Sequence, residues 1–119
     1  MLQAIVPKLP AKDIEATKAF YLEKLEFKLI GQYVDYILLT KDQIEIHFYL
    51  DQNVVPHLSD RMVYIRVSEH IEKWYEELLQ KKVELASLGK LEPKPWGQLE
   101  FSILDINGTL LTFGQPVLF

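Results

Sequence analysis

The chain repeats one order of secondary-structure elements. Strand, helix, strand, strand, strand is predicted over residues 1–52, the first module, and again over residues 61–119, the second module. The polar segment Asp51–Asp60 contains a proline and is predicted to link them. A repeat of about sixty residues indicates a duplicated module and not a solenoid. We therefore predict an α+β fold in which a single domain, residues 1–119, contains two βαβββ modules.

Prolines and helical spacing set the boundaries in the first module. The predicted strand Leu2–Leu9 is ended by Pro7 and Pro10 and should start or edge a sheet, because proline cannot donate to a central ladder. Asp13 is the predicted N-cap of a helix over Ile14–Leu25. Three further strands are predicted, with a turn near Gly31: Glu26–Gln32, Val34–Thr40 and Gln43–Leu50.

The second module shows the same pattern after the linker. Ser68 is predicted to cap a helix whose apolar residues Ile71, Trp74, Tyr75 and Leu78 share one face. The prolines and lysines of Gly89–Pro95 predict a loop, and Asn107-Gly108 predicts a hairpin turn. The predicted strands are Met62–Val67, Val83–Leu88, Trp96–Leu104 and Thr109–Gly114.

Alternation along the strands separates a helix-covered face from a second face. The residues predicted to lie under the helices are Ile44, Ile46, Phe48, Leu99, Phe101 and Ile103. The residues predicted on the other faces are Glu45, His47, Tyr49, Trp96, Gln98, Glu100 and Ser102. Residues 36–48 can be laid over 101–113 without a gap, which places Leu110 and Thr112 at the positions of Glu45 and His47. Because each helix covers one face only, two such sheets placed edge to edge are predicted to curve into a half-barrel with a cleft inside.

Composition limits the partners and the chemistry. The 119 residues are 49% apolar and 25% charged, with a net charge of −4, as in ordinary globular proteins. An acidic balance argues against nucleic acid and anionic membranes as partners and mildly favours a cationic ligand. The absence of cysteine excludes disulfides, thiolate zinc sites and a cysteine nucleophile. With no membrane-length apolar run and no signal-peptide pattern, a cytoplasmic location is expected.

Two sets of side chains could form a functional site. Glu45, His47 and Glu100 could bind a divalent metal or act as acid and base, or they could simply mark the solvated face of a strand. Aromatic side chains near carboxylates suit a planar or cationic ligand, or they could pack against a partner subunit. The aromatic set is Tyr33, Tyr36, Tyr49 and Trp96.

Short motifs spread over almost the whole chain resemble the bleomycin-resistance proteins. The matching segments are Val6–Asp13, Ala19–Tyr21, Leu25–Phe27, Ile44–Phe48, Lys94–Gly97, Glu100–Phe101 and Asp105–Leu111. These proteins belong to the vicinal oxygen chelate superfamily, together with the glyoxalases and fosfomycin-resistance enzymes. The resemblance implies paired βαβββ modules and a homodimer, often with an exchanged N-terminal strand and with ligand clefts at the subunit interface.

The resemblance also implies a function without catalysis. Bleomycin-resistance proteins sequester a cationic glycopeptide antibiotic, often in its copper form. Trp96 and Gly97 match the family's Trp-Gly loop near the antibiotic, and Trp96 is expected to act as a stacking wall. The Lys90–Lys94 loop is a departure that adds positive charge beside the expected cleft. The other residues expected to bind the ligand are Tyr36, His47, Glu45, Gln98 and Glu100.

The metal enzymes of that superfamily place a His, Glu or Gln on each of four strands. The corresponding positions in this chain are Val6, Glu45, a position near Val63, and Thr112. Valine cannot ligate a metal and threonine is a poor ligand, so neither a metal nor another cofactor is expected. Two alternatives stay open: a binder of another small metabolite, or a metal-dependent lyase, thiol transferase or dioxygenase with an atypical site at Glu45, His47 and Glu100.

Overall fold

The chain folds into two compact units, each with its own sheet. The computed structural model describes residues 1–117. One unit is Met1–Val55 and the other begins at Pro56. Each contains a βαβββ-like module whose strands form a four-stranded mixed sheet. Within residues 1–117, no helix combines the length and the apolar character needed to cross a bilayer.

The sheet of the first module has the strand order β1-β4-β3-β2, with β1 parallel to β4 and the other pairs antiparallel. Its strands are β1 (Lys8–Ala11), β2 (Lys28–Tyr33), β3 (Tyr36–Lys41) and β4 (Ile44–Leu50). Helix α1 (Ile14–Ala19) continues as a π-helical segment, Phe20–Lys24. The Asp13 cap is confirmed, because Ala16 N donates to Asp13 Oδ1 at 2.8 Å.

Two boundary predictions for the first module are wrong. The first strand covers Lys8–Ala11 and not Leu2–Leu9, and its position at the sheet edge is what tolerates Pro10. Gly31 lies inside β2 and not in a turn. The register between β2 and β3 shifts between Leu29 and Gly31, which marks a β-bulge.

The sheet of the second module has the corresponding order β5-β8-β7-β6. Its strands are β5 (Met62–Arg66), β6 (Glu92–Lys94), β7 (Gln98–Leu104) and β8 (Leu110–Pro116). Helix α2 spans Ile71–Gln80, and a 3₁₀ turn covers Pro56–Leu58. The β5–β8 pair is parallel, and the other pairs are antiparallel.

Three predictions for the second module are also wrong. Helix α2 is not capped by Ser68, because it begins at Ile71, whose N–H donates to Gln115 Oε1 at 3.0 Å. Strand β6 lies inside the segment that was predicted to be a loop. The segment Val83–Leu88, predicted as a strand, contributes one isolated bridge, between Leu85 and Ile103.

Each helix covers one face of its own sheet through aromatic contacts. In the first module the ring centroids of Tyr21 and Phe48 are 4.9 Å apart, and both residues are fully buried. In the second module the Tyr75 ring of α2 lies 5.0 Å from Phe101. The buried alternating residues of β4 and β7 therefore pack under the helices, as the sequence pattern predicts.

The strand register shows that the two hairpins cannot be laid over each other without a gap. Lys41 pairs with Ile44 across the first turn, whereas Asp105 N donates to Thr109 O at 3.0 Å across the second. The second turn, residues 106–108, is thus one residue longer than the first, residues 42–43. With strands β4 and β8 aligned, Tyr36 corresponds to Glu100 and not to Phe101.

Candidate functional site

Polar side chains collect on the face of each sheet that is turned away from its helix, which we call the open face. In β4 the half-buried Glu45 and His47 alternate with the buried Ile46 and Phe48. In β7 the polar residue Glu100 is itself buried, with 6% of its surface exposed. The two open faces hold different groups.

Three side chains of the first module form a hydrogen-bonded chain, the first polar cluster: Tyr36, His47 and Glu45. Strand β4 places Glu45 and His47 two positions apart on the open face, and His47 Nε2 lies 2.5 Å from Glu45 Oε2. The neighbouring strand β3 places Tyr36 so that its hydroxyl lies 2.8 Å from His47 Nδ1. The His47 side chain is 18% exposed and that of Glu45 is 38% exposed, so solvent and small molecules can reach the Glu45 end of this cluster.

The hydrogen-bond partners of His47 assign its tautomer when the ring is neutral. An ionised carboxylate can only accept, so Nε2 carries the proton and donates it to Glu45. The unprotonated Nδ1 then accepts a hydrogen bond from the Tyr36 hydroxyl. The imidazole is therefore held at both ends, and its lone pair points at a phenol.

A row of tyrosines borders the first polar cluster. Tyr33, Tyr36 and Tyr49 face one another in register across β2, β3 and β4. On the other side of β4, Lys8 pairs with His47, and its Nζ lies 5.8 Å from the centroid of the Tyr36 ring. The first polar cluster thus has aromatic surface and an ammonium group beside its carboxylate.

The second polar cluster consists of Glu100, Trp96 and Tyr64. Both aromatic side chains donate to the same carboxylate oxygen, since Trp96 Nε1 and Tyr64 Oη each lie 2.8 Å from Glu100 Oε2. Trp96 is 64% exposed, although its indole N–H is committed to Glu100. The result is a buried carboxylate with an exposed indole beside it.

Gly114 allows the second polar cluster to form. It lies on β8 directly opposite Glu100 of β7, and it pairs with Arg66 of β5 on its other side. A Cβ atom at Gly114 would overlap the Tyr64 hydroxyl and lie 2.5 Å from Tyr64 Cζ. Only glycine therefore leaves room for the Tyr64 ring to cross the central strand and reach Glu100.

Burial and the neighbouring carboxylate both act on the Tyr64 hydroxyl. Burial is the largest of the causes that raise the pKa of Tyr64, and its hydrogen bond to Glu100 and the charge of that carboxylate follow. The positive charge of Arg66 opposes this increase and is the smaller effect. At neutral pH the hydroxyl therefore keeps its proton and remains a hydrogen-bond donor to Glu100.

Arg66 is fixed beside the second polar cluster. Its Nη1 donates to Gln98 Oε1 at 2.9 Å, and its guanidinium lies 5.4 Å from the centroid of the Tyr64 ring. The next pair along the same face is Ser102 and Thr112, whose hydroxyls are 2.8 Å apart. The open face of the second module therefore presents a fixed guanidinium next to a buried carboxylate.

The structure thus places the residues singled out from the sequence in two groups. Tyr36, His47 and Glu45 form the first polar cluster, whereas Glu100 contacts Trp96 in the second. Trp96 and Gly97 do not belong to a strand: they lie in the turn between β6 and β7, and Gly97 has a φ of 79°.

Sequence reasoning missed Tyr64, Arg66 and Lys8. The sequence of β5 does contain a signal for Tyr64 and Arg66, because they alternate with the apolar Ile65. In the structure both are exposed and Ile65 is buried. Nothing in the local pattern indicates that Tyr64 reaches across β8, because that contact depends on the glycine at position 114.

The donor groups at the superfamily's metal positions do not fit a metal ion. Val6 and Val63 carry no donor, the Thr112 hydroxyl is bonded to Ser102, and Glu45 is bonded to His47. Among residues 1–117, no group of three or more His, Asp or Glu side chains is close enough together to hold a metal.

A match to a protein-family model shows which superfamily the chain belongs to. The model of the Glyoxalase/Bleomycin resistance protein/Dioxygenase superfamily matches residues 3–113. The chain belongs to this superfamily. The resemblance found in the short sequence motifs is therefore confirmed, and the superfamily fold accounts for the two βαβββ-like modules.

Two similar relatives within this superfamily are bleomycin resistance proteins. One, from Klebsiella pneumoniae, is 24% identical over 97% of this chain and 94% of its own length. The other, from Geobacillus stearothermophilus, is 26% identical over 98% of both chains. The similarity thus spans whole proteins at low identity.

Solved structures show the same fold. A bleomycin resistance determinant encoded on the transposon Tn5 superposes with a TM-score of 0.86 at 24% identity, covering 98% of this chain and 100% of that chain. A bleomycin-binding protein complexed with bleomycin gives 0.84 at 24% identity, covering 96% and 98%. A third structure, the bleomycin-binding protein of Streptomyces verticillus with copper(II)-bleomycin, gives 0.78 at 21% identity over 95% of both chains.

Proposed function

We propose that this protein binds and sequesters a cationic glycopeptide antibiotic of the bleomycin type without catalysing a reaction on it. In this proposal two chains form a homodimer, with the ligand clefts at the interface between the subunits. The observation that carries the proposal is the second polar cluster, a buried carboxylate framed by two aromatic side chains.

The second polar cluster has the chemistry that a cation requires. Trp96 and Tyr64 are neutral donors, so their hydrogen bonds orient Glu100 without cancelling the charge of an ionised carboxylate. Both bonds fall on Oε2 and leave Oε1 uncommitted by them. A cationic group placed against Glu100 would gain a partly desolvated ion pair and contact with aromatic surface.

The exposed indole of Trp96 suits a planar part of the ligand. It is 64% exposed, and a Cβ placed on the adjacent Gly97 would have no neighbour within 4 Å, so the space beside this turn is open. Gln98 lies on the same face and can exchange its bond with Arg66 for one to the ligand. In the first module, Tyr36, His47 and Glu45 supply further aromatic and polar contacts.

The N-terminal residues support the proposed homodimer. Met1, Leu2 and Ile5 are almost fully exposed, at 121%, 103% and 97% of their reference areas. Apolar side chains exposed to this extent are stabilised when a second surface covers them. We therefore include in the proposal that this segment packs on the partner subunit.

Tryptophan fluorescence tests the proposal directly, because the chain has only two tryptophans. Titration with metal-free bleomycin should change the emission of the wild type and of Trp74→Phe, the control on the helix-covered side of the sheet. The change should disappear in Trp96→Phe. If the wild type shows no saturable change, and calorimetry with copper-bleomycin also shows no binding, the proposed ligand is wrong.

A further inference from the structure

The first polar cluster has the parts of a nucleophilic centre that needs no metal. We propose that Tyr36 accepts an acyl group from an activated ester, with His47 as the base that removes its proton. The observations are the Tyr36 Oη–His47 Nδ1 distance of 2.8 Å and the His47 Nε2–Glu45 Oε2 distance of 2.5 Å. This activity goes beyond the binding function proposed above and uses different residues from the second polar cluster.

The order of groups is the one that activates hydroxyl nucleophiles in enzymes. A hydroxyl is bonded to one nitrogen of an imidazole, and a carboxylate holds the other nitrogen. Such a carboxylate fixes the imidazole tautomer and stabilises the imidazolium that forms. A phenol has a pKa of about 10, so its proton is easier to remove than that of an aliphatic alcohol.

Lys8 adds an electrostatic contribution at the Tyr36 ring. Its ammonium lies 5.8 Å from the centroid of the Tyr36 ring, where negative charge grows as the hydroxyl proton leaves. Tyr33 and Tyr49 stand on either side of Tyr36 in the same cross-strand row. Within residues 1–117 neither of them is bonded to a histidine, so they provide internal controls.

The reaction step balances without a cofactor. The Tyr36 oxygen attacks the acyl carbon of p-nitrophenyl acetate and forms a new C–O bond, while the Tyr36 proton moves to His47 Nδ1. The bond from the acyl carbon to the p-nitrophenyl oxygen breaks, and p-nitrophenolate leaves with the electron pair. The imidazolium is stabilised by Glu45 and then returns its extra proton to water. Each acetyl group on Tyr36 thus corresponds to one released p-nitrophenolate.

The test is acetylation of the full chain by p-nitrophenyl acetate, followed by release of p-nitrophenolate and by peptide mass spectrometry. The acetyl group should appear on Tyr36 in the wild type, in Tyr33→Phe and in Tyr49→Phe. Tyr36→Phe should remove it. His47→Gln can still accept the Tyr36 hydrogen bond but cannot take up its proton, so its labelling rate should fall about a hundredfold.

The pH profile separates a base from a residue that only holds Tyr36 in place. The pH–rate profile of the wild type should therefore differ in form from that of His47→Gln, in which the imidazole is absent. Circular dichroism confirms that the variants are folded. Equal labelling of Tyr33, Tyr36 and Tyr49, labelling of lysines only, or a wild-type rate in His47→Gln would overturn the proposal. If the wild type shows no such activity, the proposal of bleomycin binding still stands or falls by its own test, which is measured through Trp96.

Discussion

The Tyr64 ring occupies the space in which any residue other than glycine at position 114 would place its Cβ. From there the Tyr64 hydroxyl donates to Glu100 Oε2 at 2.8 Å. Three strands take part in this relationship: Tyr64 is on the edge strand β5, Gly114 on the central strand β8 and Glu100 on β7. The buried carboxylate of the second polar cluster therefore depends on a glycine that does not itself carry any functional group.

Gly114→Ala is expected to displace the Tyr64 ring and break its hydrogen bond to Glu100. The new methyl group would overlap the hydroxyl at the end of a half-exposed side chain that can turn aside, so the cost is mainly the lost hydrogen bond, about 1 kcal/mol of the free energy of unfolding. Urea denaturation of the variant and the wild type measures the loss. In a Tyr64→Ala background the same substitution should cost almost nothing, because the ring that it meets is absent. Equal costs in both backgrounds would show that the overlap with Tyr64 is not the cause.

The Tyr64 hydroxyl is expected to titrate above the ordinary range of tyrosine. Burial and the Glu100 carboxylate raise its pKa in the folded state, so the fold binds this proton more tightly than the unfolded chain does. The resulting stabilisation is complete below the ordinary tyrosine pKa of about 10 and is lost as the pH rises through the higher folded pKa. Tyrosinate absorbance in wild type and Tyr64→Phe identifies this group. Glu100→Gln should lower its pKa only partly, because burial is the larger cause. A Tyr64 hydroxyl that titrates in the ordinary range of tyrosine would contradict its hydrogen bond to Glu100.

Helix α2 is expected to lose stability when Gln115 is replaced and not when Ser68 is replaced. The Ile71 N–H donates to Gln115 Oε1 at 3.0 Å, so Gln115→Ala leaves a helix-start donor without this partner. A lost hydrogen bond of this kind costs about 1 kcal/mol, which lowers the Tm of a domain this small by about 4 °C. Ser68→Ala should leave the Tm unchanged, since the helix begins three residues later. The reverse result would mean that Ser68 is the cap after all.

Local patterns were sufficient to predict the modules. Alternation along β4 correctly separated buried Ile46 and Phe48 from half-buried Glu45 and His47, because a strand has a fixed side-chain period of two. The Asp13 cap was also predictable, since its carboxylate acts on an amide only three residues away. Both the strand alternation and the helix cap are determined by residues close to one another in the sequence.

The features that the sequence did not reveal depend on contacts between distant residues. The first N–H of α2, that of Ile71, is bonded to Gln115 and not to the predicted cap Ser68, and Gln115 is far from Ile71 in the chain. The extra residue in the second hairpin turn changes which residue of β7 corresponds to Tyr36, and no local pattern records it. The Tyr64–Glu100 bond requires both this register and a glycine on a third strand. Strand β6 contains Pro93, which predicts a loop unless the strand lies at a sheet edge.

Calorimetric titration of the whole protein with bleomycin, for the wild type, Glu100→Gln and Glu76→Gln, tests the proposed function most directly. Glu76 is an exposed carboxylate of α2, on the opposite side of the sheet from the second polar cluster, so both variants lose the same charge. We expect saturable submicromolar binding by the wild type and Glu76→Gln, and a loss of at least about tenfold, or ~1.4 kcal/mol, in Glu100→Gln. Absence of binding by the wild type, or equal affinity in all three proteins, would contradict the assignment of Glu100 to a site for a cationic glycopeptide.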